Sequence, residues 1–448
     1  MTLTKNVKCC IYNILTFTLI LTFTSCDQES KSVNNETSSY SFSALDLHNL
    51  NIALEKDIVH DFFSPPVASR IYLYPNLVSY EIMSQKDSNY NSLTSIFIDF
   101  PQFPEYKLKQ GRELAASYAF LQIAHSLVYT TKNIDSEILK LDGLLKSYPN
   151  SESIKKYSDE VVAAMLPWIK NDNYNKTRNM GDYQLLEEPN KWKPTAPDFL
   201  DALEPHWSKI RPMTLDSAAQ FSPPTPVPYD LTEGSQFYID LMEVYSKETS
   251  KTDSTKAIAK FWDCNPIILR HEGHITYSEK KLTPGGHWMN IYRAVAIKEN
   301  QNFMETSYVY ASLSIAMFDA FISCWEAKYA YNYIRPITVI HNNIDPNWDP
   351  MLYTPNFPEY PSGHSVVSRS ASTLLTHFFG DNYAFVDSTE TPFGMPSREF
   401  KSFNHASDEA AISRLYGGIH FKPAIYYGIE QGEKIGNNVI TEIEKLRK

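Results

Sequence analysis

Apolar residues recur at helical spacing along most of the chain. Leu45 to Phe62 carries this pattern, and Ser64-Pro65-Pro66 breaks it. The same period predicts helices over Val67–Met83, Gly111–Thr130, Ile134–Tyr148 and Ser151–Lys170. It returns at Ser235–Phe261, His287–Lys298, Glu305–Tyr333, Ser365–Phe379, Ser407–Tyr416 and Ala424–Leu446. Strand-like alternation is scarce, so the pattern predicts an all-α protein built as helical bundles. From Tyr183 to Tyr229 the chain is heavy in Pro and Trp and shows no period. A loop of that length in a folded body often covers a site.

The N-terminus has a different character. Lys5 and Lys8 precede an apolar run from Ile11 to Phe23, which ends in Thr24-Ser25-Cys26. About 13 residues are too few to span a bilayer but suit the core of a signal peptide. Small residues followed by Cys resemble a bacterial lipobox. That resemblance implies cleavage before Cys26, a lipid on Cys26, and an exported chain anchored to a membrane on the periplasmic side or at the cell surface. An ordinary signal peptide with an incidental Cys is the alternative. Residues from Asp27 to about Ser43 are rich in Ser, Asn, Glu and Thr and read as a flexible tether. The expected organisation is a signal peptide over 1–25, a tether over 26–43 and one all-helical body over 44–448, with no run of about 20 consecutive apolar residues.

Composition narrows the chemistry. Of 448 residues 43% are hydrophobic and 21% charged, enough for a large core and unlike a disordered chain. The 41 basic and 52 acidic residues leave a net charge of −11, which argues against general nucleic-acid binding. An anion would need a local basic pocket. Of the five Cys, only Cys264 and Cys324 belong to the body. Two thiols make neither a disulfide framework nor a zinc site by themselves, and whether they pair stays open.

Three clusters between Trp325 and His420 carry the candidate chemistry. In the first, Lys328 and Arg335 are seven residues apart, about two helical turns, so both cations can face one way with Trp325 beside them. Taken alone this is an ordinary charged face. The second, Phe357-Pro-Glu-Tyr-Pro361-Ser362-Gly363-His364, precedes a helical run, and N–H groups at a helix start favour negative charge. Alone it reads as a cap and a surface His. In the third, Arg414 and His420 are six residues apart and about 120° off a shared face, so Gly417-Gly418 must break the helix for them to converge.

Taken together, Lys-x6-Arg-Pro, Pro-Ser-Gly-His and Ser-Arg-x5-His resemble the motif set shared by type 2 phosphatidic acid phosphatases and vanadium-dependent haloperoxidases. The gaps agree: 24 residues separate Pro336 from Pro361, and 48 separate His364 from Ser413. A looser likeness to bacterial haloperoxidases runs through Ser64-Pro65-Pro66 and Pro284-Gly285-Gly286-His287-Trp288. The resemblance implies a caged tetrahedral oxyanion. Lys328, Arg335 and Arg414 would form its cationic walls, and the Ser362 hydroxyl and Gly363 N–H would contact its oxygens. His420 would bond vanadium, and His364 would serve as the acid–base residue. Trp325 and Phe357 fall where haloperoxidases place aromatics beside the halide. The implied cofactor is vanadate, and the implied partners are hydrogen peroxide, a halide (iodide favoured, bromide allowed) and an organic acceptor if there is one. Lys328 would polarise the bound peroxide. The alternative is an acid phosphatase of the same superfamily. Its pattern continues His-x3-Asp, whereas position 424 here is Ala, so the group that orients His420 is missing from the motif.

Overall fold

The computed structural model describes residues 42–249, 251–266 and 268–448. The expected signal peptide over 1–25, Cys26 and residues 27–41 of the expected tether lie outside the described residues. Ser43 already belongs to the first helix, where its N–H donates to Asp46 Oδ2 at 2.8 Å.

The first half holds α1 (Ala44–His60), α2 (Pro65–Ser84), α3 (Arg112–His125), α4 (Lys132–Leu145), α5 (Ser151–Lys170) and the single turn α6 (Tyr174–Thr177). After the long loop come α7 (Gln236–Thr249), α8 (Asp253–Phe261), β1 (Leu269–Glu272), β2 (Ile275–Ser278), α9 (Pro284–Lys298) and α10 (Phe303–Tyr331). The chain then forms α11 (Pro336–Asn343), α12 (Gly363–Phe379), β3 (Phe385–Asp387), β4 (Arg398–Phe400), α13 (Phe403–Tyr416) and α14 (Lys422–Ile443). The described chain is mostly helical, as the periodicity predicts.

Four local readings change. Pro65 and Pro66 do not simply break a helix. They open α2, where a missing N–H costs nothing. The run 235–261 is two helices, with Thr252 Oγ1 capping α8 by accepting from Thr255 N–H at 3.2 Å. The hairpins β1–β2 and β3–β4 and helix α11 are too short to show a period, and the sequence does not reveal them. Finally, α10 is long and apolar enough to cross a membrane by length and composition, yet its apolar window is wholly buried.

That burial explains the architecture. Helix α10 is apolar nearly all round because it is packed on every side, by α2, α9, α12 and α14. Helix α14 lies close against α12 because Gly428, Gly432 and Gly436 line its contact face. A Cβ on Gly432 would sit 2.3 Å from the Val366 carbonyl oxygen. The loop 183–229 is tied down on α10. Asp319 accepts from the N–H groups of Met213 and Thr214, each at 2.7 Å. The Leu203 carbonyl accepts from Trp325 Nε1 at 3.2 Å and from the Tyr329 hydroxyl at 2.6 Å. The loop thus covers the C-terminal turns of α10, where the first motif lies.

Candidate active site

Each motif ends or begins a helix, and the helix ends point together. Lys328 sits in the last turn of α10, which Asn332 terminates in the left-handed conformation at φ 49°. Arg335 lies beyond that end, at the N-cap of α11. The two cations therefore do not share a helix face, contrary to what their spacing predicts. A chain reversal brings them together, with Lys328 Nζ 4.9 Å and the Arg335 guanidinium 5.0 Å from the centre of the Phe357 ring. Trp325 completes this wall, 5.1 Å from Phe357 between centroids. Ser362 is the N-cap of α12 and Gly363 its first residue. A Cβ on Gly363 would lie 3.6 Å from Trp325 Cζ3 and 3.9 Å from Lys328 Cε. Gly417 ends α13, and Gly418 takes φ 76°, which turns the chain so that His420 faces back toward Arg335.

Arg335 is in direct contact with His420 Nε2, and Lys328 and Arg414 act on the same ring through their charge. Arg335 Nη1 lies 3.3 Å from that nitrogen and donates to the Ile419 carbonyl at 2.8 Å. Arg335 Nε donates to the Phe357 carbonyl at 2.9 Å. Arg414 is held from outside by the Trp262 carbonyl at 2.7 Å and by Ser413 Oγ at 2.9 Å. Lys328 differs from the expectation: its ammonium donates to the carbonyls of Pro358 (2.8 Å), Glu359 (3.1 Å) and Pro361 (2.6 Å). It clasps the Phe357–Ser362 segment, and a contact to a ligand requires one of these bonds to be shared. Cys264 and Cys324 are separate, buried, free thiols.

The missing orienter of His420 is Glu359. Its Oε1 accepts from the Phe421 N–H at 2.9 Å and lies 2.8 Å from His420 Nδ1. An oxygen already accepting from one N–H accepts from the second as well. The proton of a neutral His420 therefore sits on Nδ1, and the Nε2 lone pair faces the cations. Burial, reinforced by Arg335, Lys328 and Arg414, holds His420 well below the usual imidazole range and keeps it neutral. Sequence reasoning missed Glu359 because the phosphatase pattern places its carboxylate after the His. The available signal was that Glu359 is the one acid inside the Phe357–His364 motif.

The electrostatics call for an anion. Burial pushes Lys328 down to about 7 and Arg335 to about 10, and lowers Arg414 as well. Glu359 is the carboxylate facing them, and burial pushes it up to about 8 against the pull of Arg335 and Lys328. His364 is held well below its usual range by burial and then by Arg414. Arg335 Nη2 and His364 Nε2 are buried without a protein partner. Three cations, two unpaired polar atoms and an imidazole lone pair that only Arg335 Nη1 approaches fit a multiply charged oxyanion that also accepts a nitrogen ligand.

This is a mostly helical protein in which buried cations gather where helix ends meet. Comparison with solved structures extends the description. A bacterial vanadium-dependent iodoperoxidase is 42% identical, with 90% of this chain and 97% of that chain covered and a TM-score of 0.84. Holo- and apo-type structures of a bacterial vanadium-dependent chloroperoxidase share the fold at 16% identity, with TM-scores of 0.63 and 0.65. They cover 86% and 85% of this chain, and 95% and 94% of theirs. The family profile of the VCPO second helical-bundle domain matches residues 308–448, the stretch that holds all three motifs. No curated protein sequence matches the chain. The chain belongs to the vanadium-dependent haloperoxidase family, and its cofactor is vanadate.

Proposed function

We propose that this protein oxidises iodide with hydrogen peroxide, bromide being a slower second substrate. Peroxide, halide and a proton become hypohalous acid and water. The observation that carries this reading is the cage around His420 Nε2, walled by Trp325 and Phe357, in a chain 42% identical to an iodoperoxidase. Bound vanadate supplies a Lewis-acid centre that activates peroxide without haem, flavin or a redox-active thiol.

The chain's own groups do the rest. His420 offers Nε2 to vanadium, with Glu359 fixing the tautomer. Arg335, Arg414 and Lys328 balance the oxyanion's charge, and Ser362 and the Gly363 N–H at the start of α12 contact its oxygens. His364, neutral at neutral pH and with Nε2 free, takes a proton from peroxide as it enters and returns it as water leaves. Trp325 and Phe357 limit water beside the reacting oxygen, which suits a large, weakly hydrated halide.

The test is the apo-protein reconstituted with vanadate and assayed for iodide and bromide oxidation, with phosphoester hydrolysis in parallel. The expected outcome is vanadate-dependent iodide oxidation that phosphate suppresses and that His364→Ala slows by ~10²-fold or more with vanadium still bound. Phosphoester turnover blocked by vanadate, with no halide oxidation, would establish the phosphatase instead.

A further inference from the structure

Behind the Arg414 wall lies a second polar cluster that halide chemistry does not use. His287, in the first turn of α9, is fully buried and stacks on Trp262 with 4.6 Å between ring centres. Its Nε2 lies 2.7 Å from Asp387 Oδ2 and 2.8 Å from Thr389 Oγ1. Its Nδ1 faces two other side chains, Cys264 Sγ at 3.4 Å and Glu390 Oε1 at 3.2 Å, and these two are 4.0 Å apart. Cys264 and Glu390 are 1% and 5% exposed.

We propose that Cys264, His287 and Glu390 form a binding site for a divalent transition-metal ion, zinc by preference, separate from the vanadate cage. The donor set is the first reason. A thiolate, an imidazole and a carboxylate together suit zinc and suit neither calcium nor magnesium, which take oxygen alone. Spacing is the second. Bonds of about 2.0–2.3 Å directed tetrahedrally put neighbouring donor atoms roughly 3.3–3.6 Å apart, and the three observed separations straddle that range. The third is the second nitrogen of His287. Asp387 binds it as a carboxylate binds the outer nitrogen of a metal-ligating His, so an ion between Nδ1, the sulfur and the oxygen would take the place of the Nδ1 proton while the outer one stays. A cavity of about 440 Å³ lined by Glu55, Arg293, Asp387 and Thr389 reaches the two residues that hold the outer nitrogen of this ring.

With Cys264 ionised, a dication balances the thiolate and the Glu390 carboxylate, and the thiol proton passes to solvent on binding. The ion would staple three segments from separate parts of the chain: the end of α8, the start of α9 and the β3–β4 connection. Trp262 links this site to the cage, since its ring stacks on His287 while its carbonyl holds Arg414. The ion would therefore brace one cationic wall.

The experiment is elemental analysis of the full chain purified without chelators, with zinc and vanadium measured separately. The expected result is about one zinc per chain, kept when vanadate is stripped and reduced at least tenfold in Cys264→Ser and in Glu390→Gln. A second measurement guards against misfolded variants. Cobalt(II)-loaded wild-type protein should show thiolate-to-cobalt charge-transfer absorption, missing from a Cys264→Ser chain that still binds vanadate. The proposal is overturned if wild-type protein that binds vanadate holds no divalent metal and takes up none from added zinc. It is equally overturned if zinc stays bound in Cys264→Ser; the cluster is then a hydrogen-bonded imidazolium between two carboxylates.

Discussion

His420 and Glu359 are 61 positions apart, and the bond between them decides which nitrogen of the imidazole faces the cage. Glu359→Gln keeps the shape but presents an amide whose NH₂ competes for Nδ1, so the tautomer is no longer fixed. The expected outcome is a 10–100-fold loss of vanadate affinity by calorimetric titration, with little change in the melting temperature. The cations give a pH dependence. In the ligand-free cage Lys328 titrates at about 7 and Glu359 at about 8. A bound oxyanion favours the ammonium and the protonated carboxyl, so binding takes up protons once pH rises above 7 and affinity falls, by up to about tenfold per unit for each proton taken up. Sulfate, which does not titrate in this range, is the probe. Its affinity should fall from pH 7 to 9, with a shallower slope in Lys328→Met. An affinity independent of pH would show that neither group senses the anion. At this scale the family motifs pointed to Lys328, Arg335, Ser362, Gly363, His364, Arg414 and His420 as candidates. They did not show that Lys328 spends its donors on three carbonyls, because backbone partners leave no trace in residue identity.

Among the elements, helix ends matter more than helix faces. The sequence reading placed Lys328 and Arg335 on one face by counting turns. That count fails because Asn332 stops α10 between them, and a left-handed Asn at a helix end is hard to read against an apolar pattern that runs on to Tyr333. The Gly417-Gly418 break was legible because Arg414 and His420 could not otherwise meet. It also has measurable consequences. Gly418 has φ 76°, and a Cβ there would lie 3.1 Å from Pro350 Cβ and 3.3 Å from Trp348 Cη2. Gly418→Ala should therefore cost about 1–2 kcal/mol of stability from the backbone alone and, by displacing His420 two residues on, weaken vanadate binding. Gly181→Ala meets nothing within 4 Å and is the control expected to change neither. Equal effects in both variants would remove the geometric role of Gly418.

For the whole molecule, the cage belongs to no single helix. Lys328 comes from the end of α10, Arg335 from the start of α11, Ser362 and Gly363 from the start of α12, Arg414 from the end of α13, and His420 from the turn before α14. Without an anion these ends carry buried like charges that repel, and burial already pushes Lys328 and Arg335 below their usual ranges. An oxyanion bound to all of them cross-links the C-terminal half of the fold and removes that repulsion. A ligand that binds the folded state and not the unfolded chain adds RT ln(1 + [L]/Kd), about 2.7 kcal/mol at a hundredfold excess over Kd. Vanadate at that excess should raise the unfolding midpoint in guanidinium by the corresponding amount, and phosphate should do so only at higher concentration because it lacks the bond to His420. His420→Ala separates the two contributions. It should erase the advantage of vanadate over phosphate while leaving the shift caused by phosphate, since the cationic walls remain. If vanadate still stabilises His420→Ala more than phosphate does, Nε2 is not the group that distinguishes them, and the assignment of the vanadium ligand moves elsewhere in the cage.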